Sequence, residues 1–125
     1  MHLLDTNILI YYANGSIPIS FKSQIEDILT FNFNISIIAK LEFLGWKGFD
    51  RTSLEKAERF VSYADVVNID IEIADRAVEL MRDKSINLAD AVIAATALIN
   101  DYTLIPRNTA DFKKVEDLKL LNPFA

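Results

Sequence analysis

The segment His2-Leu3-Leu4-Asp5-Thr6-Asn7-Ile8-Leu9-Ile10 reads as a short apolar strand that meets an acid and then turns into a helix. Outward from it, the same alternation repeats. Strand candidates lie at 2–5, 34–37, 65–70, 102–106 and 118–121. Between them, Phe21, Ile25, Ile28 and Leu29 form one helical stripe, and Leu54, Ala57, Val61 and Ala64 form another. A third stripe is Ile73, Ala74, Ala77, Val78 and Met81, with Glu72, Asp75, Arg76, Glu79 and Arg82 opposite. Residues 88–99 are apolar nearly all round, as in a helix buried against a sheet. This alternation predicts an α/β fold of three layers: a mostly parallel central sheet of four to five strands, flanked by helices.

The bulk properties fit that frame. With 125 residues, no linker, no repeat and few scattered Gly and Pro, one domain over 1–125 is expected. The hydrophobic fraction of 51% argues against disorder. No apolar run is long enough to span a bilayer, and no basic segment precedes a cleavable apolar one, so a cytoplasmic protein without a signal peptide is expected. The absence of cysteine excludes disulfides, thiolate zinc sites and thiol nucleophiles. A single histidine, His2, excludes multi-histidine metal sites and most Ser-His schemes. The net charge of -5 lacks the basic signature of a nucleic-acid binder. It does not exclude a phosphate substrate, because bound cations reverse the sign of an acidic cluster.

The acids are placed unusually. Asp5, Glu42 and Asp90 each lie inside an apolar segment, where an unpaired carboxylate is costly. Asp5 ends the first strand, and a cap or a metal ligand explains it equally well. Asp90 falls at the third position of a helix that Asn87 would cap, where a carboxylate favours the helix dipole. Glu42, between Leu41 and Phe43, has no such structural reason, and neither Lys40 nor Lys47 is spaced to pair with it. Asp111, alone, reads as an ordinary loop acid. Glu55, Glu58 and Glu79 fall on solvated helix faces. In a parallel sheet, however, ligands bind beyond the carboxyl ends of the strands, and Asp5, Glu42, Asp90 and Asp111 can all reach that edge. Like charges gathered there call for a cation. Oxygen ligands alone select Mg²⁺ or Mn²⁺, which points to phosphodiester chemistry with a metal-activated water.

Four motifs carry a resemblance to a known family. They are Leu3-Leu4-Asp5-Thr6-Asn7-Ile8-Leu9-Ile10, Ile35-Ser36 followed by Glu42-Phe43-Leu44-Gly45, Asn87-Leu88-Ala89-Asp90-Ala91-Val92-Ile93-Ala94-Ala95-Thr96-Ala97, and Arg107-Asn108-Thr109-Ala110-Asp111-Phe112. In order and spacing the chain resembles the PIN-domain ribonucleases, in particular the VapC toxins of toxin–antitoxin pairs, over essentially its whole length. The resemblance implies a PIN-like fold and a Mg²⁺- or Mn²⁺-dependent endoribonuclease, usually dimeric and inhibited by a small antitoxin. It implies that Asp5, Glu42, Asp90 and Asp111 are the catalytic and metal-binding acids, supported by Thr6 and Asn108. Two positions depart from the family's pattern. Pro106 stands where a Thr often precedes the Arg-Asn pair, and Ala39 where a Thr often lies three residues before the glutamate. Both remove hydroxyls, not ligands.

Other readings are weaker. A haloacid-dehalogenase-type phosphatase needs a second Asp where Asn7 stands, and a receiver domain needs an acidic partner set that Asp70 lacks. A PIN-like module that binds a partner or RNA without cutting it is the main alternative, kept open by Pro106 and Ala39. Arg107, Lys84 and Arg82 neighbour motif residues and are candidate RNA contacts, against the plainer reading of solvated charges. Phe43 is expected in the core. Trp46 and Phe49, in a Gly-interrupted connection, are expected at an interface, either the homodimer or a groove for the antitoxin's helix.

Overall fold

The computed structural model describes residues 1–122. Four parallel strands form its sheet: β1 (His2–Leu4), β2 (Asn34–Ser36), β3 (Asp65–Val67) and β4 (Thr103–Ile105), in the order β3-β2-β1-β4. β1 is central, with Leu3 beside Asn34 on one side and beside Leu104 on the other. Six helices connect them: α1 (Thr6–Ala13), α2 (Ile19–Phe31), α3 (Ile37–Leu44), α4 (Arg51–Val61), α5 (Ile71–Lys84) and α6 (Leu88–Asn100). The chain steps one way from β1 to β3 and then returns past β1 to β4. Right-handed crossovers in opposite directions require helices on both faces of the sheet. None of these helices is long and apolar enough to cross a membrane.

Capping defines where helices begin. Ser36, Asp50, Asp70 and Asn87 each accept a backbone N–H of the first turn with a side-chain oxygen. Leu3, Leu4, Ile8, Leu9, Ile35 and Leu104 are fully buried at the centre. α6 is buried from Ala91 to Ala97, and its run of alanines lets it approach both the sheet and α5 closely. Both its ends depart from the expected all-round burial: Leu88 is exposed, and Leu98 and Ile99 are half-buried.

Two further expectations are corrected. The stretch 118–121 does not form a fifth strand. Leu120 makes a single parallel bridge with Leu104, because the left-handed backbone at Asp117 interrupts the extended run just before it. On α5, the buried line is Ile73, Ala77 and Leu80, and Val78 and Met81 lie in solvent.

Candidate active site

β1 delivers Asp5 to the carboxyl edge of the sheet, beside the end of β4. The Asp5 backbone N–H donates to the Ile105 carbonyl at 3.1 Å, continuing the ladder by one residue. Asp5 then occupies the N-cap position of α1, yet its carboxylate makes no capping hydrogen bond to that helix. It is 3% exposed. Burial, reinforced by the nearby charge of Asp90, pushes its pKa up to about 7, while the backbone N–H groups of Arg107 and Thr6 draw it back down.

Glu42 projects from α3, one and a half turns after β2. The buried Thr6 hydroxyl donates to its Oε1 at 2.8 Å and ties the start of α1 to α3. Asp90, in the first turn of α6, is locked to Asn87 in both directions: its N–H donates to Asn87 Oδ1 at 2.9 Å, and Asn87 Nδ2 donates to Asp90 Oδ2 at 3.2 Å. Burial raises the Asp90 pKa, the Asn87 hydrogen bond opposes that, and the charges of Asp111 and Glu42 add to the rise.

Asp5, Glu42 and Asp90 share one cavity of about 350 Å³, with Thr6, Asn87 and Trp46 among its lining residues. Asp111 is close enough to act on Asp90 electrostatically but does not line this cavity. Its carboxylate is paired with Lys114 Nζ at 2.9 Å. Asn108 Oδ1 accepts the Ala110 N–H at 3.0 Å and shapes the loop leading to Asp111. Arg107 stacks over the Tyr11 ring, its guanidinium carbon 5.2 Å from the centroid. Lys84 lies 4.0 Å from Glu116, Arg82 is exposed on α5, and neither lines the cavity.

Trp46 and Phe49 divide. Phe49 packs edge-on against Phe43, with ring centroids 5.3 Å apart, and is half-buried. Trp46 is 40% exposed and lines both the acidic cavity and an aromatic one of about 540 Å³ with Tyr12, Phe49 and Phe60. A Cβ at Gly48 would fall 2.4 Å from the Trp46 ring, so only glycine lets the indole lie there. Trp46 as a wall of the acidic cavity was not legible beforehand, since the signal is that glycine rather than the tryptophan. Asn7 also lines the cavity, and its place two residues after Asp5 was the available clue.

All candidate donors in the cavity are oxygens, and one is a buried carboxyl without a capping role. That set suits a hard divalent cation. Among the described residues, no three Asp, Glu, His or Cys side chains are gathered tightly enough to enclose an ion. Mg²⁺ does not require that, because it keeps much of its water and is held by one or two carboxylates.

The PIN-domain family description matches residues 2–118. This chain belongs to the PIN-domain family. The PIN domain described here is similar to a chain of a toxin–antitoxin complex from Klebsiella pneumoniae, with 31% identity, TM-score 0.79 and coverage of 99% of this chain and 98% of that one. It is also similar to a chain of VapBC2 from Rickettsia felis, solved with a DNA fragment from the promoter, at 25% identity, TM-score 0.78 and 97% coverage of each. FitAcB from Neisseria gonorrhoeae shares the fold, at 23% identity and TM-score 0.76 over 99% of both chains. No curated protein matches this chain.

Proposed function

We propose that this PIN domain is a Mg²⁺- or Mn²⁺-dependent endoribonuclease and the toxin of a VapBC-type toxin–antitoxin pair. The observation that carries the chemistry is Asp5: a buried carboxyl, raised to about 7, that stands at a helix cap without capping and shares a cavity with Glu42 and Asp90. Such a group is costly unless something positive binds it. When bound, the cation supplies charge neutralisation at the phosphate and a more acidic water.

The chain's own residues do the positioning. Asp5, Asp90 and Glu42 would hold the hydrated cation between them, one or two directly and the rest through its retained waters. Thr6 fixes Glu42 through Oε1, and Asn87 fixes Asp90 from both sides. Asp111 is the fourth acid. Its exposed pair with Lys114 is worth at most about 1 kcal/mol, so it opens easily. Asn108 supports Asp111 by holding the loop between it and Arg107. Of the candidate RNA contacts, Arg107 is best placed, its backbone lying beside Asp5. Cleavage of single-stranded RNA with Mn²⁺, abolished by EDTA and by Asp5→Asn, is the expected result. RNA or partner binding without any cleavage would establish the binding-module alternative instead.

The assembly follows from the same reading: an antitoxin partner and a homodimer. Similar chains were solved in a toxin–antitoxin complex and in VapBC2. The aromatic cavity of Tyr12, Trp46, Phe49 and Phe60 is suited to apolar side chains of an antitoxin helix, and it meets the acidic cavity at Trp46. Trp46→Ala should weaken capture by the antitoxin and leave the fold intact.

A further inference from the structure

The end of α3 carries an indole to the acidic cavity. Gly45 closes the helix, its N–H donating to the Leu41 carbonyl at 2.9 Å, and the Trp46 N–H donates to the Phe43 carbonyl at 3.2 Å. Trp46 thus follows Glu42 by four residues on a continuing turn, the spacing that sets two side chains next to each other. Among the described residues three aromatic side chains are exposed: Phe31, Trp46 and Tyr63. Of them only Trp46 lines the cavity of Asp5, Glu42 and Asp90.

The ring is held before anything binds. Phe49 meets the indole at right angles, with centroids 4.9 Å apart, and Gly48 passes so close to the six-membered ring that no side chain fits between. A ring fixed in this way loses little freedom when a second flat group settles on it.

Charge narrows what that group is. No Lys or Arg lines the acidic cavity, and the net charge of the chain is -5. A bound cation grips a phosphate, but the rest of an RNA strand needs another hold there. The base stands one ribose away from its phosphate, and stacking on an aromatic face holds it without charge. We infer that the Trp46 indole stacks on a nucleobase next to the scissile phosphate and so fixes which phosphate of the strand lies over the acids. This rests on the ribonuclease reading above and adds a base subsite to it. The subsite tolerates any sequence, because every base has a π-face, but it requires a single strand, whose bases can turn outward.

Steady-state cleavage in Mn²⁺ of a single-stranded oligoribonucleotide with one mapped cut tests this, with circular dichroism checking the fold of each variant. Trp46→Ala should lower kcat/KM by about 5- to 100-fold, chiefly through KM, and Trp46→Tyr should keep most of the native value. Removing one base at a time on either side of the cut should find a single position whose loss costs the native chain as much as Trp46→Ala does. Combining the two should cost no more than either alone. Trp46 is the only tryptophan, so its fluorescence reads the contact directly. The intact oligonucleotide in Mg²⁺ should quench it, and the abasic one should not. Additive losses, or a Trp46→Ala chain that cleaves as the native one does, overturn the subsite. If that variant also escapes the antitoxin, the indole is a protein contact and the subsite falls. Quenching without cleavage upholds the subsite and overturns the ribonuclease reading; cleavage without quenching does the reverse.

Discussion

Between about pH 4 and 7 the buried carboxyl of Asp5 keeps a proton that the unfolded chain has released, its ordinary pKa being 3.8 and its folded value about 7. The folded state then binds more protons than the unfolded one, so stability falls as pH rises through that window. In EDTA the melting temperature should therefore decline from pH 4 to pH 8. Asp5→Asn should flatten that decline and be the more stable protein at pH 8, by a few kcal/mol at most. An unchanged pH profile in this variant would show that Asp5 is not the group responsible. Thr6→Val keeps shape and removes the donor to Glu42. Cleavage should fall by about 10- to 100-fold, as for other groups that orient ligands, with little change in the fold. Asp90→Asn can still accept from Asn87, so loss of cleavage with an unaltered melt would separate ligand from cap. Asp5 was legible because apolar neighbours made it anomalous and it is buried, whereas Glu42, flanked by apolar residues in sequence, is exposed, and Asp90 is half-buried. What sequence could not supply was their pairing: Asp111 sits with Lys114 three residues on, a local contact that a long-range convergence argument overlooks.

At the scale of elements, α5 marks the limit of periodicity. Ile73 and Ala77 belong to the buried line, but so does Leu80, and Val78 and Met81 do not. A helix with apolar residues over more than half its circumference fits several phases, and only its packing on α6 chooses one. The strands were legible at β1 to β4, with ends misplaced by one to three residues, since a three-residue strand leaves little period to read. The end of α5 offers its own test. Ser85 adopts a left-handed backbone, φ 55°, where a side chain is disfavoured. Ser85→Gly should stabilise the domain by about 0.5–1 kcal/mol, read as a rise in melting temperature. A drop would mean that the Ser85 side chain contributes more than its backbone costs.

For the whole molecule, cation binding and folding are linked. Free Mg²⁺ or Mn²⁺ at a hundred times its dissociation constant should add about 2.7 kcal/mol of stability. Thermal melts in EDTA, Mg²⁺ and Mn²⁺ should differ for the native chain and coincide for Asp5→Asn. Identical native melts would remove the cation from the account. The sheet order has a consequence in time. β1, which carries Asp5, takes its partner on one side from β4, with Leu4 beside Ile105. Synthesis runs at about 5–20 residues per second, so roughly five to twenty seconds separate the emergence of these two strands from the ribosome. During that interval the first acid exists without the neighbour that seats it, and Asp90 arrives only near its end. The acidic cavity is therefore assembled on the growing chain only after α6 and β4 have emerged.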